Sequence, residues 1–525
     1  MASIIWIAAL TFLLRAFPGI VGIKLDGFDQ TYHLLAAERI RGNRLRYPET
    51  LKGLSGLYDY PPLFHYLLAL FPRTIREQLA PFFSAVIDTI HVLVVYFLTL
   101  HIVQMSELAA YVSNPPQAAS VAALLFATSP ALLYCGIGPR AYEATPRTLG
   151  ELFISVTFAM AGFYLWQGSW WVLLLSCLFG GLTLLTSKFG AQVLVFFTLI
   201  LAALLRSPFL LMLPLLSIVI AIILSRGLYL RVLAGQIKHL TRYKRLLHKF
   251  PVSHRNELSE FKSLLASMRE RDSLESARAF WNIISNNTYV ILLIRNPVLF
   301  IAIYFGVTHF LLTISNPIML FLCSWVIASL VLFFLTSLKP ILFLGEAERY
   351  VEHSVLPQVI LVSLFLTSIQ SITTLIIYHG LFYIGSLVLL YRIHKTALKE
   401  WETRQELLDW LTAQGIKNKR ILPGLSDLKL HFVLPYMTDN AVLYPAGEKA
   451  VASQEEFANL FEEYPYPNTN LQMLIKTYGL DLIVVNKKCL DYANKRGWNY
   501  PLNVFTKVFE NQVYTVYETS KEEKE

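Results

Sequence analysis

PIMLFLCSWVIASLVLFFLTS, residues 317–337, holds no charged side chain from end to end. VIDTIHVLVVYFLTLHIV, residues 86–103, holds one, Asp88. About 20 apolar residues in a helix cross a hydrocarbon core of roughly 30 Å. A bilayer interior offers no water to peptide groups, so such runs are helices or strands of a closed barrel. Barrel strands are shorter and alternate polar with apolar. These runs do not alternate, and the class read from them is an α-helical polytopic membrane protein.

The rest of the chain agrees. Its 525 residues are 55% hydrophobic and 15% charged, against about 25% charged in soluble chains. Mean hydropathy is +0.49. About eleven transmembrane helices are expected, near residues 3–23, 83–104, 117–135, 150–166, 170–187, 190–205, 208–225, 290–314, 317–337, 354–371 and 373–391. The first of these has no basic leader and no Ala-x-Ala cleavage pattern, so it reads as a membrane helix rather than a secretion signal. Arg15 within it reads as a helix-end snorkel ahead of a buried functional arginine. Cys135, Cys177, Cys323 and Cys489 have no metal or disulfide spacing and read as small buried hydrophobes. Asn286-Asn287-Thr288 matches the glycosylation sequon, a weak three-residue pattern.

Counting parity through the spans sorts the loops. One set holds 24–82, 136–149, the turn at Lys188, 226–289, 338–353 and the tail from 392. It is long, polar and rich in both signs of charge. The other set is short and carries Arg206 as its one arginine, with no lysine. The positive-inside rule points the charged set toward the cytoplasm, but that rule loses force for long loops. Within 226–255 eight arginines and lysines occur with no acidic residue. This amphipathic loop, 226–289, reads as surface helix lying on anionic headgroups of the membrane lipids.

After residue 391 apolar runs shorten and charge rises. KRILPGLSD, LKLHFVLPYM, NAVLYPAG, LDLIVVNKK, FTKVFEN and QVYTVYET read as strands. EEFANLFEEY and TNLQMLIKTYG read as helices. The expectation is a small soluble C-terminal α/β domain over 392–525, following a membrane domain over 1–391. It has no Gly-rich phosphate loop and no nucleophile motif, so an accessory role is expected.

Three loops of the charged set carry candidate chemistry. In KLDGFDQTYHLLAAERIRGN, from residue 24, Asp29 and His33 lie four apart on one helix face, with Asp26 three before Asp29. Two carboxylates and an imidazole suit a general base or a hard divalent ion. Asp26 is better read as the cap of the helix that follows. Further on, YDYPPLFHYLLAL (58–70) lets helix begin at Pro61-Pro62 and sets Tyr60 and His65 beside it. In GIGPRAYEATPRTLGELF (136–153), Arg140, Glu143 and Arg147 recur at three and four; a local Glu143–Arg147 ion pair is an equal reading. In LKPILFLGEAERYVEHSVLP (338–357), Glu346, Arg349 and His353 share one helix face and Glu348 and Glu352 another. Arginine suits a lipid phosphate because its planar fork binds two oxygens and stays charged.

The first of these loops resembles the first external loop of the GT-C superfamily of membrane glycosyltransferases. In the oligosaccharyltransferase branch that loop reads Asp-x-x-Tyr-His, and Asp29-Gln30-Thr31-Tyr32-His33 matches it. The Tyr-Pro-Pro segment at 60–62 and the Glu-x-Glu-Arg-Tyr element at 346–350 look like those of prokaryotic members. The resemblance implies sugar transfer from a polyprenyl-phosphate or pyrophosphate carrier in the plasma membrane, to an extracytoplasmic glycan, lipid or protein acceptor in cell-envelope glycan biosynthesis. No nucleic-acid partner is implied. Asp29 and Glu143 would be the catalytic carboxylates. They are also the candidate ligands of a divalent cation, Mg or Mn. His33, Tyr60, His65, Arg140, Arg147, Glu348, Arg349 and Tyr350 would bind substrate. The resemblance also sets the charged loops and the C-terminal domain outside the cytoplasm. The oligosaccharyltransferase signature Trp-Trp-Asp-Tyr-Gly is missing, since Trp170-Trp171 is followed by Val172. That speaks against protein N-glycosylation. A transporter or flippase of a lipid-linked anion is the rival class. It predicts inverted repeats with mid-span charges, and the charges here gather at span ends. A non-catalytic subunit keeping the fold is the third reading.

Overall fold

A computed structural model describes residues 2–23, 28–54, 56–105, 107–110, 112–133, 143–247, 256, 258–269, 276, 280, 283, 287–366, 368–444 and 453–519. These fall into two compact units. One comprises Met1–Val21 and Pro81–Val388, the other Gly22–Ala80 and Leu389–Glu525.

The first unit is helical. A helix occupies each of the eleven expected positions, but their lengths differ. Among the described residues, Ala2–Ile20, Arg73–Met105, Pro115–Thr128 continued by Pro130–Leu133, Pro146–Gln167, Pro317–Thr336 and Ile369–Ala413 contain the six segments long and apolar enough to cross a membrane. Thr288–Arg295 and Pro297–Thr308 form a pair bent by 76°. Asn296 and Pro297 sit at the bend, where proline removes an amide donor. Trp170–Leu184, Lys188–Leu204, Pro208–Leu224 and Val355–Phe365 are shorter apolar helices. Two helices overrun the expected spans. Arg73–Met105 begins in the polar stretch before residue 83, and Ile369–Ala413 continues through polar sequence, about 67 Å in all at 1.5 Å per residue.

Helix starts obey local rules. Asn114, Thr145 and Asn316 cap helices whose first residue is proline, each side-chain oxygen accepting a backbone N–H. The interior packs around Trp325, fully buried against Phe158 (5.2 Å between ring centroids) and Phe321 (6.1 Å). Large apolar side chains also face outward, Trp171, Val307, Leu311 and Ile223 among them. On a soluble protein such a surface would aggregate; here it is what lipid tails would cover. Trp170 and Trp171 are exposed at a span end, the place of an interfacial aromatic belt.

Arg15 does not snorkel. It is fully buried, and its Nε donates to Asp88 Oδ2 at 3.0 Å while another guanidinium N–H meets the carbonyl of Ala127. A charge in the bundle interior is tolerable when paired in this way. Cys177 is buried, Cys323 and Cys489 are half-buried, and all three are free thiols; Cys135 and Asn286 lie outside the described residues.

In the second unit, seven strands are described. They are β1 (Arg420–Pro423), β2 (Ala441–Val442), β3 (Phe461–Glu463), β4 (Tyr466–Pro467), β5 (Leu482–Asn486), β6 (Thr506–Glu510) and β7 (Tyr514–Glu518). A five-stranded sheet runs β2-β1-β5-β7-β6, with β1 parallel to β2 and β5; β3 and β4 form a separate antiparallel pair. LKLHFVLPYM is a helix, Leu430–Met437, rather than a strand. Parallel β1 and β2 require a crossover, and this apolar run supplies it. Leu411, Ile421, Leu434, Val484 and Val516 make the core beneath. The first loop packs with this sheet. Leu54 N donates to Val442 O and Val442 N donates to Lys52 O, both at 3.0 Å, so residues 52–54 pair with the edge strand β2.

Candidate functional site

Two clusters hold the sequence candidates, one in each unit.

In the second unit, Asp29 is exposed in the first turn of the helix Phe28–Gly42. A carboxylate there is favoured by the helix dipole. His33, one turn on, is buried, and its Nδ1 lies 2.8 Å from Nε2 of His65. His65 is fully buried; its Nδ1 is 2.9 Å from the Tyr58 hydroxyl and 3.2 Å from the carbonyl of Pro61. Tyr32 stands edge-on to Tyr60 (5.6 Å) and to Phe432 (5.4 Å). Tyr60 lies 5.5 Å from His33 and is half-buried, its carbonyl accepting from Tyr47 at 2.6 Å. His65, read from sequence as substrate-binding, has both ring nitrogens engaged inside the loop. Those contacts tie the Pro61-Pro62 turn to the helix that carries Asp29.

Burial, and secondarily His33, hold His65 well below the usual 6.5. His431, hydrogen-bonded to the carbonyl of Tyr444 at 3.0 Å, is pushed down to about 4, mainly by burial. Both stay neutral in the folded chain while an unfolded chain takes up protons below about 6.5. Stability of this unit should therefore be full above pH 6.5 and decline toward pH 4. Each histidine contributes a slope of up to about 1.4 kcal/mol per pH unit. Thermal unfolding midpoints measured from pH 7.5 to 4.5 check this. A flat profile would contradict it, and His431→Gln should shallow the slope.

In the first unit, Thr145 caps the helix that starts at Pro146, and Ser187 caps the helix that starts at Lys188. Gly150 lets the two starts meet, since a Cβ on it would lie 2.7 Å from Ser187 Cβ. Gly345 turns the chain into the short helix Ala347–Glu352 at φ 116°, ψ −177°, a region open to glycine alone. That turn sets Arg349 over the ring of Phe189, 5.6 Å from its centroid. Arg349 Nε pairs with Glu346 at 2.7 Å and its side chain is one-third exposed. Arg147 pairs with Glu151 at 3.4 Å and with Glu352. Tyr350 is fully buried, donating to the carbonyl of Leu344 at 3.0 Å. Glu143 and Glu348 are buried, and the Glu143 carbonyl accepts from Ser84 at 2.7 Å. His353 is tied to the core through Trp325 Nε1, which donates to its carbonyl at 3.1 Å.

Arg147, Glu348, Arg349, Tyr350 and Glu143 thus fall in one unit, and Asp29, His33, Tyr60 and His65 in the other. Asp26 and Arg140 lie outside the described residues. Sequence reasoning missed Glu151, Phe189 and the Arg147–Glu352 pairing. Glu151 follows Arg147 by four and was readable; the other two are tertiary. Among the described residues no three His, Cys, Asp or Glu side chains converge as cation ligands.

The class these features define is a polytopic helical membrane protein with charged side chains gathered at helix starts. The sequence matches no known family profile and no curated protein. The fold does have relatives. The apo oligosaccharyltransferase of Archaeoglobus fulgidus superposes with a TM-score of 0.54 at 12% identity, over 95% of this chain and 71% of that one. The same enzyme tethered through a disulfide to an acceptor peptide containing the NVT sequon superposes at 0.54 and 12%, over 99% and 74%. The chain shares the overall fold of that oligosaccharyltransferase.

Proposed function

We propose that this protein is a membrane glycosyltransferase that moves a sugar from a polyprenyl-phosphate or pyrophosphate carrier to an extracytoplasmic acceptor, acting from the plasma membrane. The observation that carries the reading is the GT-C-like fold over nearly the whole chain, with Arg349 partly exposed at the start of a loop helix. In this reading the acceptor hydroxyl oxygen bonds to the anomeric carbon, and the carrier phosphate leaves with the electron pair. Asp29 takes the hydroxyl proton or orients the hydroxyl. Arg349 and Arg147 exchange their glutamate partners for phosphate oxygens and stabilise the charge that develops there. Glu346, Glu151 and Glu352 hold that pair of arginines in place; Glu143 is the second catalytic carboxylate, Glu348 and Tyr350 contact substrate, and Arg140 is a further phosphate partner. His33 and Tyr60 keep the Asp29 helix in register. Phosphate is a good leaving group, so positioning and charge stabilisation are the main demands.

A panel of polyprenyl-phosphate sugars, in sealed vesicles with membrane-impermeant acceptors, tests it. Release of free carrier with at least one donor is the expected result, on the face of the vesicle that was extracytoplasmic. Parallel runs with EDTA and with Mg or Mn decide the cation requirement. The acceptors should include a glycan, a glycolipid and a sequon peptide. The relative crystallised with a peptide motivates the last, while Val172 after Trp170-Trp171 predicts no transfer to it. Transbilayer movement of labelled lipid with no carrier released from any donor would replace this reading with a flippase.

A further inference from the structure

We infer that the second unit holds a separate binding site for a small organic anion about the size of one sugar, bearing a phosphate or carboxylate group. A cavity of about 270 Å³ opens among the helix Phe28–Gly42, the loop at Lys52, the start of the helix Arg73–Met105, the end of the helix Ile369–Ala413, and residues 435–439. Sites for drug-sized ligands run from about 300 to 1,000 Å³, so this one fits a smaller molecule. Its lining mixes polar groups with the apolar side chains Leu35, Leu411 and Met437.

Its charge is cationic. Lys52, Arg73 and Lys417 line it, against the two carboxylates Glu38 and Asp439. Those carboxylates are not equally available. Glu38 is bound to the fully buried Arg76 behind it. Asp439 lies 3.8 Å from Lys52 and is 69% exposed, so water screens that pair. Arg73 is held by Glu77 at 2.9 Å and stacks over Tyr436 at 4.6 Å, which fixes its direction. Lys52 is half-buried, and its ammonium donates to the carbonyl of Thr438 at 2.8 Å. Burial lowers its affinity for the proton, a cost that an anion in the cavity would offset. Lys417 makes no hydrogen bond or ion pair among the described residues and is exposed at the rim. Two under-neutralised ammonium groups and a braced guanidinium around one hollow make an anion receptor, because the surrounding protein focuses the field of the cations. The ring of a sugar would pack against Leu35, Leu411 and Met437.

The site stands independently of the transfer reading, because none of its residues has a part in that chemistry. Full-length protein in detergent should be titrated calorimetrically with glucose 6-phosphate, glucuronate and glucose. Saturable binding of one or both anions, weakened by salt, with no binding of glucose, is the expected result. Which anion binds identifies the group the site takes. Lys417→Met removes a side chain without partners and leaves folding intact; it should weaken binding about tenfold, and Lys52→Met more. No saturable binding by either anion, equal binding of glucose, or unchanged affinity in Lys417→Met overturns the proposal.

Discussion

Arg15→Ala, or Asp88→Leu, should each cost about 3–5 kcal/mol of stability, because each leaves one buried charge without its counter-ion. Both side chains are at 0% exposure and 3.0 Å apart. The pair joins the first helix to the long helix Arg73–Met105, and the Ala127 carbonyl ties Arg15 to a third. Hydrocarbon offers a lone guanidinium nothing, so the single variants have no cheap relaxation. Thermal unfolding of detergent-purified protein reads this directly. Single variants should unfold well below the parent or fail to accumulate. The paired variant Arg15→Met with Asp88→Leu should recover most of the loss, since apolar replacements of a buried pair are often neutral. Single variants as stable as the parent would show that the pair contributes nothing.

That pair also marks where sequence reading stopped. The spans were legible because a bilayer demands long apolar runs, and each such run is helical. What faces a given helix is not written in the run itself. Arg15 near a helix end looks the same whether it snorkels or meets Asp88, 73 positions away. LKLHFVLPYM is short and apolar, so periodicity could not separate buried strand from crossover helix. The same limit applies to the site. The three- and four-residue spacings were readable, and Glu346–Arg349 forms as the spacing implies. The Arg147–Glu352 pair joins residues 205 apart and has no local trace. His33 and His65 were singled out for ligand contact. Only the folded loop shows that the two rings, 32 positions apart, meet each other.

Asp29→Asn should reduce carrier release by about 100- to 10,000-fold, the range that loss of a positioned general base spans. The change keeps the shape of the side chain and one acceptor oxygen, turns the other oxygen into an N–H donor, and removes the ability to accept a proton. Its structural cost should be small. Asp29 is exposed in a first helical turn, and losing a charge there forfeits about 0.3–1 kcal/mol of dipole stabilisation. Unfolding temperature should therefore hold while turnover falls. A base acts in the transition state, so kcat should fall while the KM for the carrier-linked donor stays near the parent value. A residue that merely braced the loop would behave differently, lowering stability and donor affinity together. His65→Phe is the comparison for that pattern, because His65 is fully buried with both ring nitrogens engaged. If Asp29→Asn transfers sugar at the parent rate, Asp29 is not the base, and the proton must leave the acceptor by another route.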